Sequence, residues 1–258
     1  MPSETARETS LPNPMPRSRP GGYGYRRAFL QSSAALLLES LPCPARPAAK
    51  ETPALKIIAF GDSLVAGFGL AADAAFPAVL EKTLRAEGYH VAVVNAGVSG
   101  DTASGGQARL DWTLGYGAVG VILELGANDM LRGVDPEVTK AALDAILGEL
   151  KARNIKVLIA GMKAASSLGQ DYKTRFDAIY PALAKKYDAP LYPFFLEGVA
   201  GEPTLKLGDG LHPNPAGVER IVKGILPLVR AFVDQFGAKA ARSVFSSTAG
   251  KAASAANP

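Results

Sequence analysis

Short apolar runs recur along the chain with one helix-length stretch between each pair, and this alternation restricts the fold more than any single motif. The runs are "LKIIAF" from Leu55, "HVAVVNAG" from His90, "AVGVILELG" from Ala118, "IKVLIAG" from Ile155 and "PLYPFF" from Pro190. Between them lie stretches with helical character: Phe76–Glu87, a segment around Ala108, Pro136–Arg153 and Tyr172–Tyr187, with a last helix from about Pro215 to Phe236. Strands this short and this apolar suit a parallel sheet buried on both faces, because each crossover returns over the sheet as a helix. The pattern predicts an α/β fold with five strands in one three-layer domain.

The alternation occupies residues 50–237, and the segments on either side differ from it in charge. Residues 1–49 carry a formal +3 and residues 238–258 another +3, which leaves −2 for the domain out of a total of +4. The basic balance therefore belongs to the ends, and the domain itself offers no footprint for nucleic acid. In the first segment, Arg26 and Arg27 are followed by Ala28, Phe29 and Leu30, then by a short apolar run and by small residues and prolines. This resembles a twin-arginine export signal, although Tyr25 and Glu39 depart from the pattern. Residues 1–49 are thus expected to form an export leader and linker, with the twin-arginine machinery as partner, a periplasmic destination and no stable membrane span. The last segment, 238–258, is small, polar and aperiodic and is expected to be a disordered tail.

In an open parallel sheet the ligand crevice lies beyond the carboxyl ends of the strands. Ser63 follows the first run in "FGDSL", with Gly61 available for a tight turn. There it either caps a short helix or presents a hydroxyl at the crevice edge. The same edge receives "NAGVSGDTASGG" after the second run and "LELGANDMLRG" after the third, while "GDGLHPNPAG" places Asp209 three residues before His212. A hydroxyl, an imidazole, a carboxylate and oxyanion donors are the parts that acyl transfer requires. Only His90 and His212 could supply the imidazole, and His90 opens a strand at the other end of the sheet. With two histidines in all, and Cys43 as the only cysteine, placed in the leader, no metal site and no cofactor are expected.

Taken in order, "FGDSL", "NAGVSGDT", "LGAND" and "DGLHPN" resemble the four blocks of the SGNH (GDSL) hydrolases, and the chain is most similar to the bacterial thioesterase I, lysophospholipase and arylesterase group. The resemblance runs from about Leu55 to Phe236. It implies a flavodoxin-like sheet of order 2-1-3-4-5 and assigns roles. Ser63 would be the nucleophile, His212 its base and Asp209 the group orienting the imidazole. The oxyanion would be held by the backbone N–H of Ser63, the backbone N–H of Gly100 and the side-chain amide of Asn128. Gly97 and Ala127 stand at positions where the family varies. Related thioesterases rest the acyl chain on the loop after the third block, so Met130 and Leu131, with Phe194, Phe195 and Leu196 across the crevice, are the expected substrate-binding residues. The implied activity is hydrolysis of a small acyl ester (aryl ester, thioester or lysophospholipid) through an acyl-enzyme, with carbohydrate deacetylation by the same machinery as the alternative. A nucleotide or flavin binder on the same sheet is disfavoured, since "GDSLVAGFG" lacks the phosphate-loop lysine and that reading leaves Asp209 and His212 unused. The nucleophile elbow G-x-S-x-G is absent, with Val65 in its last position, which argues against an α/β-hydrolase. Asp62, Asp101 and Asp129 are expected to fix loops through backbone amides, and Trp112 to pack between helix and sheet.

Overall fold

The five apolar runs become the strands β1 (Leu55–Gly61), β2 (Val91–Gly97), β3 (Gly120–Glu124), β4 (Lys156–Ala160) and β5 (Leu191–Tyr192) in a computed structural model that describes residues 54–115 and 117–237. The expectations for the leader and the tail fall outside the described residues. The helices are α1 (Ser63–Ala66), α2 (Phe76–Ala86), α3 (Ala103–Leu114), α4 (Ala127–Leu131), α5 (Pro136–Ala152), α6 (Gln170–Asp177), α7 (Ile179–Tyr187) and α8 (Pro215–Asp234). All strand pairs are parallel and the sheet order is β2-β1-β3-β4-β5. Helices cover both faces, with α2 packed on α8 in one layer and α3 and α7 flanking α5 in the other.

Burial from both sides explains the composition of the central strands. Ile57 to Gly61 of β1 are buried without interruption, as is every residue of β3. Each Ile or Phe so buried contributes about 1.5–3 kcal/mol relative to exposure. Helix α8 presents Ile221, Ile225, Val229 and Phe232 to the core, and its amino end is set by Asn214, whose side chain accepts from the Gly217 amide, and by Pro215 in the first turn. No helix among the described residues is long and apolar enough to cross a membrane.

Three local expectations differ from the structure for identifiable reasons. The stretch Tyr172–Tyr187 is two helices rather than one, because Pro181 has no N–H to donate to the Asp177 carbonyl and the first helix ends there. Strand β5 keeps only Leu191 and Tyr192 of "PLYPFF", bounded by Pro190 and Pro193, which cannot donate to the ladder. Trp112 is 70% exposed. The buried face of α3 runs through Ala103, Gly106, Leu110 and Thr113, and Trp112 lies off that stripe.

The topology locates the crevice. Gly61, at the carboxyl end of β1, pairs with Gly97 of β2 on one side and Glu124 of β3 on the other. The strand order reverses at β1, so the chain leaves β1 and β3 toward opposite layers and opens a gap between them.

Candidate active site

The site is built on a one-turn helix that follows β1 with no linker. Asp62 caps α1 by accepting from the Leu64 amide at 2.9 Å, and Gly67, at φ 82°, ends it by donating to the Ser63 carbonyl. The close approach of α1 to the sheet requires bare backbone. A Cβ on Gly97 would stand 2.2 Å from the Ala66 nitrogen and 2.8 Å from the Asp62 carbonyl oxygen. The position that the family leaves variable is thus a glycine by necessity in this chain.

Ser63 Oγ lies 2.9 Å from His212 Nε2, and His212 Nδ1 lies 2.6 Å from Asp209 Oδ2. Asp209 is fixed by its own loop, where its Oδ1 accepts from the amides of Leu211 at 2.9 Å and His212 at 3.0 Å. The hydrogen bond from His212, reinforced by those two amides, holds the Asp209 carboxyl down to about 2. An ionised Asp209 places the imidazole proton on Nδ1 and leaves Nε2 as an acceptor facing the serine hydroxyl. The ring of Phe68 rests against the imidazole, centroid to centroid 4.5 Å and tilted by 35°. His90 is exposed beside the amino end of β1, where its carbonyl accepts from Leu55.

Asn128 reaches the same place from β3. Gly126, at φ 114°, turns the chain into α4, and a Cβ there would meet the Tyr180 hydroxyl oxygen at 2.2 Å. Asn128 Nδ2 donates to Asp62 Oδ2 at 3.0 Å, which employs one of its two amide hydrogens. Gly100 follows β2 with φ 86°, and its carbonyl accepts from Arg132 Nη2 at 2.8 Å, joining that turn to the end of α4. Buried Asp129 ties α4 to its neighbours, accepting from the Ala103 amide at 2.8 Å and from Thr139 Oγ1 at 3.0 Å. Asp62 and Asp129 both fix backbone as expected, but each also accepts from a side chain. Asp101 instead pairs with Arg109.

Beneath these groups lie two features that sequence reasoning missed. Arg109 bonds Asp101 Oδ2 through Nε at 2.5 Å, the Ala96 carbonyl at 2.9 Å and the Gly61 carbonyl at 2.8 Å, with its guanidinium 4.3 Å from the Phe60 ring centroid. It thereby holds the carboxyl ends of β1 and β2 together. Glu124 is wholly buried at the end of β3, and its Oε2 lies 3.4 Å from the Asp62 nitrogen. Burial, then the charge of Asp62, pushes the Glu124 carboxyl well above the usual range. Asp62 is raised to about 6 by burial, against the lowering effect of its Leu64 and Asn128 donors. A glutamate standing alone in "AVGVILELG" was the available signal.

The expected substrate-binding residues separate. Leu131 is 55% exposed, Met130 is half-buried, and Phe194 and Leu196 are half-buried against the core. Phe194 also lies 5.3 Å from Lys163 Nζ. Phe195 does not line the crevice; it is fully buried, edge-on to Phe76 at 5.0 Å, and belongs to the core. Phe68 and Leu211, both exposed beside His212, supply apolar surface that was not anticipated.

The model of the GDSL-like lipase/acylhydrolase family matches residues 59–220. The "Thioesterase 1/protease 1/lysophospholipase L1" of Escherichia coli strain K12 is 40% identical over 189 residues, covering 71% of this chain and 88% of that protein. Among solved structures, AlinE4, described as an SGNH-hydrolase family esterase, is 45% identical with TM-score 0.59 and covers 69% of this chain and 96% of its own. The psychrotrophic esterase EstA from Pseudoalteromonas sp., solved in a form inhibited by monoethylphosphonate, is 28% identical with TM-score 0.66, covering 70% and 99%.

Proposed function

Because the chain belongs to the GDSL-like lipase/acylhydrolase family and is a serine ester hydrolase, we propose that it hydrolyses acyl esters or thioesters through an acyl-enzyme on Ser63. The observation that carries the proposal is the unbroken chain of contacts from Ser63 Oγ to His212 Nε2 and from His212 Nδ1 to Asp209. Ser63 Oγ attacks the carbonyl carbon while His212 Nε2 takes its proton, and Asp209 stabilises the imidazolium that forms. The oxyanion is received by the backbone N–H groups of Ser63 and Gly100 and by the free hydrogen of the Asn128 amide. Collapse of the tetrahedral species expels the alcohol or thiol, which leaves with the proton from His212. Water then attacks the acyl carbon, with His212 as base, and the acid and Ser63 are released.

Exposed Phe68 and Leu211 beside His212, with exposed Leu131 on the helix that carries Asn128, support an acyl chain of several carbons over acetate alone. The test is covalent labelling. Wild-type protein should be modified once by an alkyl phosphonate at Ser63 and lose all esterase activity, while Ser63→Ala should neither react nor hydrolyse esters. Labelling that persists in Ser63→Ala would move the nucleophile elsewhere.

A further inference from the structure

Glu124 is the one charged residue of β3, every residue of which is buried. Its side chain occupies the space a Cβ on Gly61 would take, with Oε2 2.6 Å from that point, so the sheet brings it directly under Asp62. Its hydrogen bonding is poor for an anion: Oε2 has a long contact to the Asp62 amide, and Oε1 is buried with no donor among the described residues. Two buried carboxylates this close would repel if both were ionised, and an unpaired buried charge is costly. Asp62 is the member equipped to be ionised, since its two oxygens accept from the Leu64 amide and from Asn128 Nδ2. The satisfied arrangement gives Glu124 one proton, which it donates to Asp62.

We propose that Glu124 is a positioning residue that, as a neutral acid hydrogen-bonded to the Asp62 carboxylate, fixes the Asn128 amide beside the nucleophile. The proposal rests on the reading of Asn128 as an oxyanion donor. A carboxylate can only accept, so Asp62 selects the NH₂ end of Asn128 and excludes the flipped amide, which would turn its carbonyl toward Asp62. The same carboxylate caps the helix that bears Ser63, so one anion aligns nucleophile and donor together. The elevation of Glu124 by burial and by the neighbouring charge agrees with this distribution of the proton.

Glu124→Gln preserves shape and a donor toward Asp62, whereas Glu124→Leu removes the donor. On an aryl ester, Glu124→Leu should lower kcat by about ten- to a hundredfold with KM nearly unchanged, and Glu124→Gln should restore at least about tenfold of that loss. Infrared spectra of the folded wild-type protein at neutral pH should contain the carbonyl stretch of a protonated carboxyl, and Glu124→Gln should lack it. Should Glu124→Leu fail to fold, the infrared band and the kcat of Glu124→Gln relative to wild type decide the matter. Absence of the band, a Glu124→Gln variant as slow as Glu124→Leu, or a Glu124→Leu variant with wild-type kcat would overturn the assignment. Loss of all ester turnover by wild-type protein would instead count against the proposed function, since the infrared band does not depend on catalysis.

Discussion

Replacing Asn128 with alanine should damage catalysis and folding by two separable routes. The first follows from its free amide hydrogen, one of three donors proposed for the oxyanion. Charge on the carbonyl oxygen develops only as the tetrahedral species forms, so the loss should fall on kcat, by about 10²–10³, equivalent to about 2.7–4 kcal/mol, with KM little altered. The second follows from the hydrogen that Asn128 gives to Asp62 Oδ2 at 3.0 Å. Without it the buried Asp62 carboxylate loses a donor, which costs about 1–3 kcal/mol. For a domain of this size each kcal/mol lowers Tm by about 2–4 °C, so the variant should melt about 2–12 °C earlier. Steady-state kinetics on an aryl ester well below that melting point, with calorimetry on the same preparation, measures both effects. A variant that lost only KM, or one whose kcat stayed within about threefold of wild type, would remove Asn128 from the oxyanion site.

Chain length should modulate kcat/KM: a fully buried methylene is worth about 0.8 kcal/mol, or about fourfold, and a chain resting on exposed Leu131 should yield closer to twofold per carbon from acetyl to hexanoyl esters. Met130→Asp should flatten that series, while a strict preference for acetylated sugars would favour a carbohydrate esterase. Asp209 is held down to about 2, so its contribution is present above the unfolded value near 3.9 and is lost only as pH falls through about 2. Between pH 8 and 4 Asp209 should therefore stay ionised, while Asp62, raised to about 6 by burial, takes up a proton over that range; infrared difference spectra in which Asp209 protonates above pH 4 would refute this. For the leader, substituting Lys for both Arg26 and Arg27 preserves charge but removes the guanidinium groups, and fractionation should find the precursor retained in the cytoplasm. Unaltered periplasmic activity would refute twin-arginine export.

The order and type of the elements were readable because uniform apolar runs and 3.6-residue periodicity distinguish buried strands from covering helices. The break at Ala178 was readable too, through Pro181, but its effect depends on which carbonyl the missing N–H would have met. What the sequence conceals is direction. "FF" at 194–195 marks two apolar side chains without saying which enters the core, and the structure sends Phe195 inward and Phe194 toward Lys163. Trp112 was misplaced for the same reason, since its size suggested burial while the stripe on α3 passed it by. At the site, Ser63, Asp209 and His212 were singled out from residue type and order, and the structure brings them within hydrogen-bond distance. The supporting groups were hidden, because Arg109, Glu124 and Phe68 act through contacts that only the register of β1 with its neighbours and the return of the last loop create.

The serine and the histidine that touch in the site are 149 residues apart in the chain. A ribosome adding roughly 5–20 residues per second needs about 7–30 s to travel between them. From residue 128 onward the nascent chain carries the hydroxyl and the two proposed oxyanion donors that follow β2 and β3, and all five strands are complete by Tyr192. The imidazole arrives last. Its loop is anchored by the Leu207 amide donating to the His212 carbonyl and by Asn214 bonding Thr204 and Lys206. On the proposed mechanism, hydrolytic power is withheld from every chain terminated or stalled before position 212, including those that have already built the whole sheet, and acquiring it coincides with closing the final loop onto the first helix.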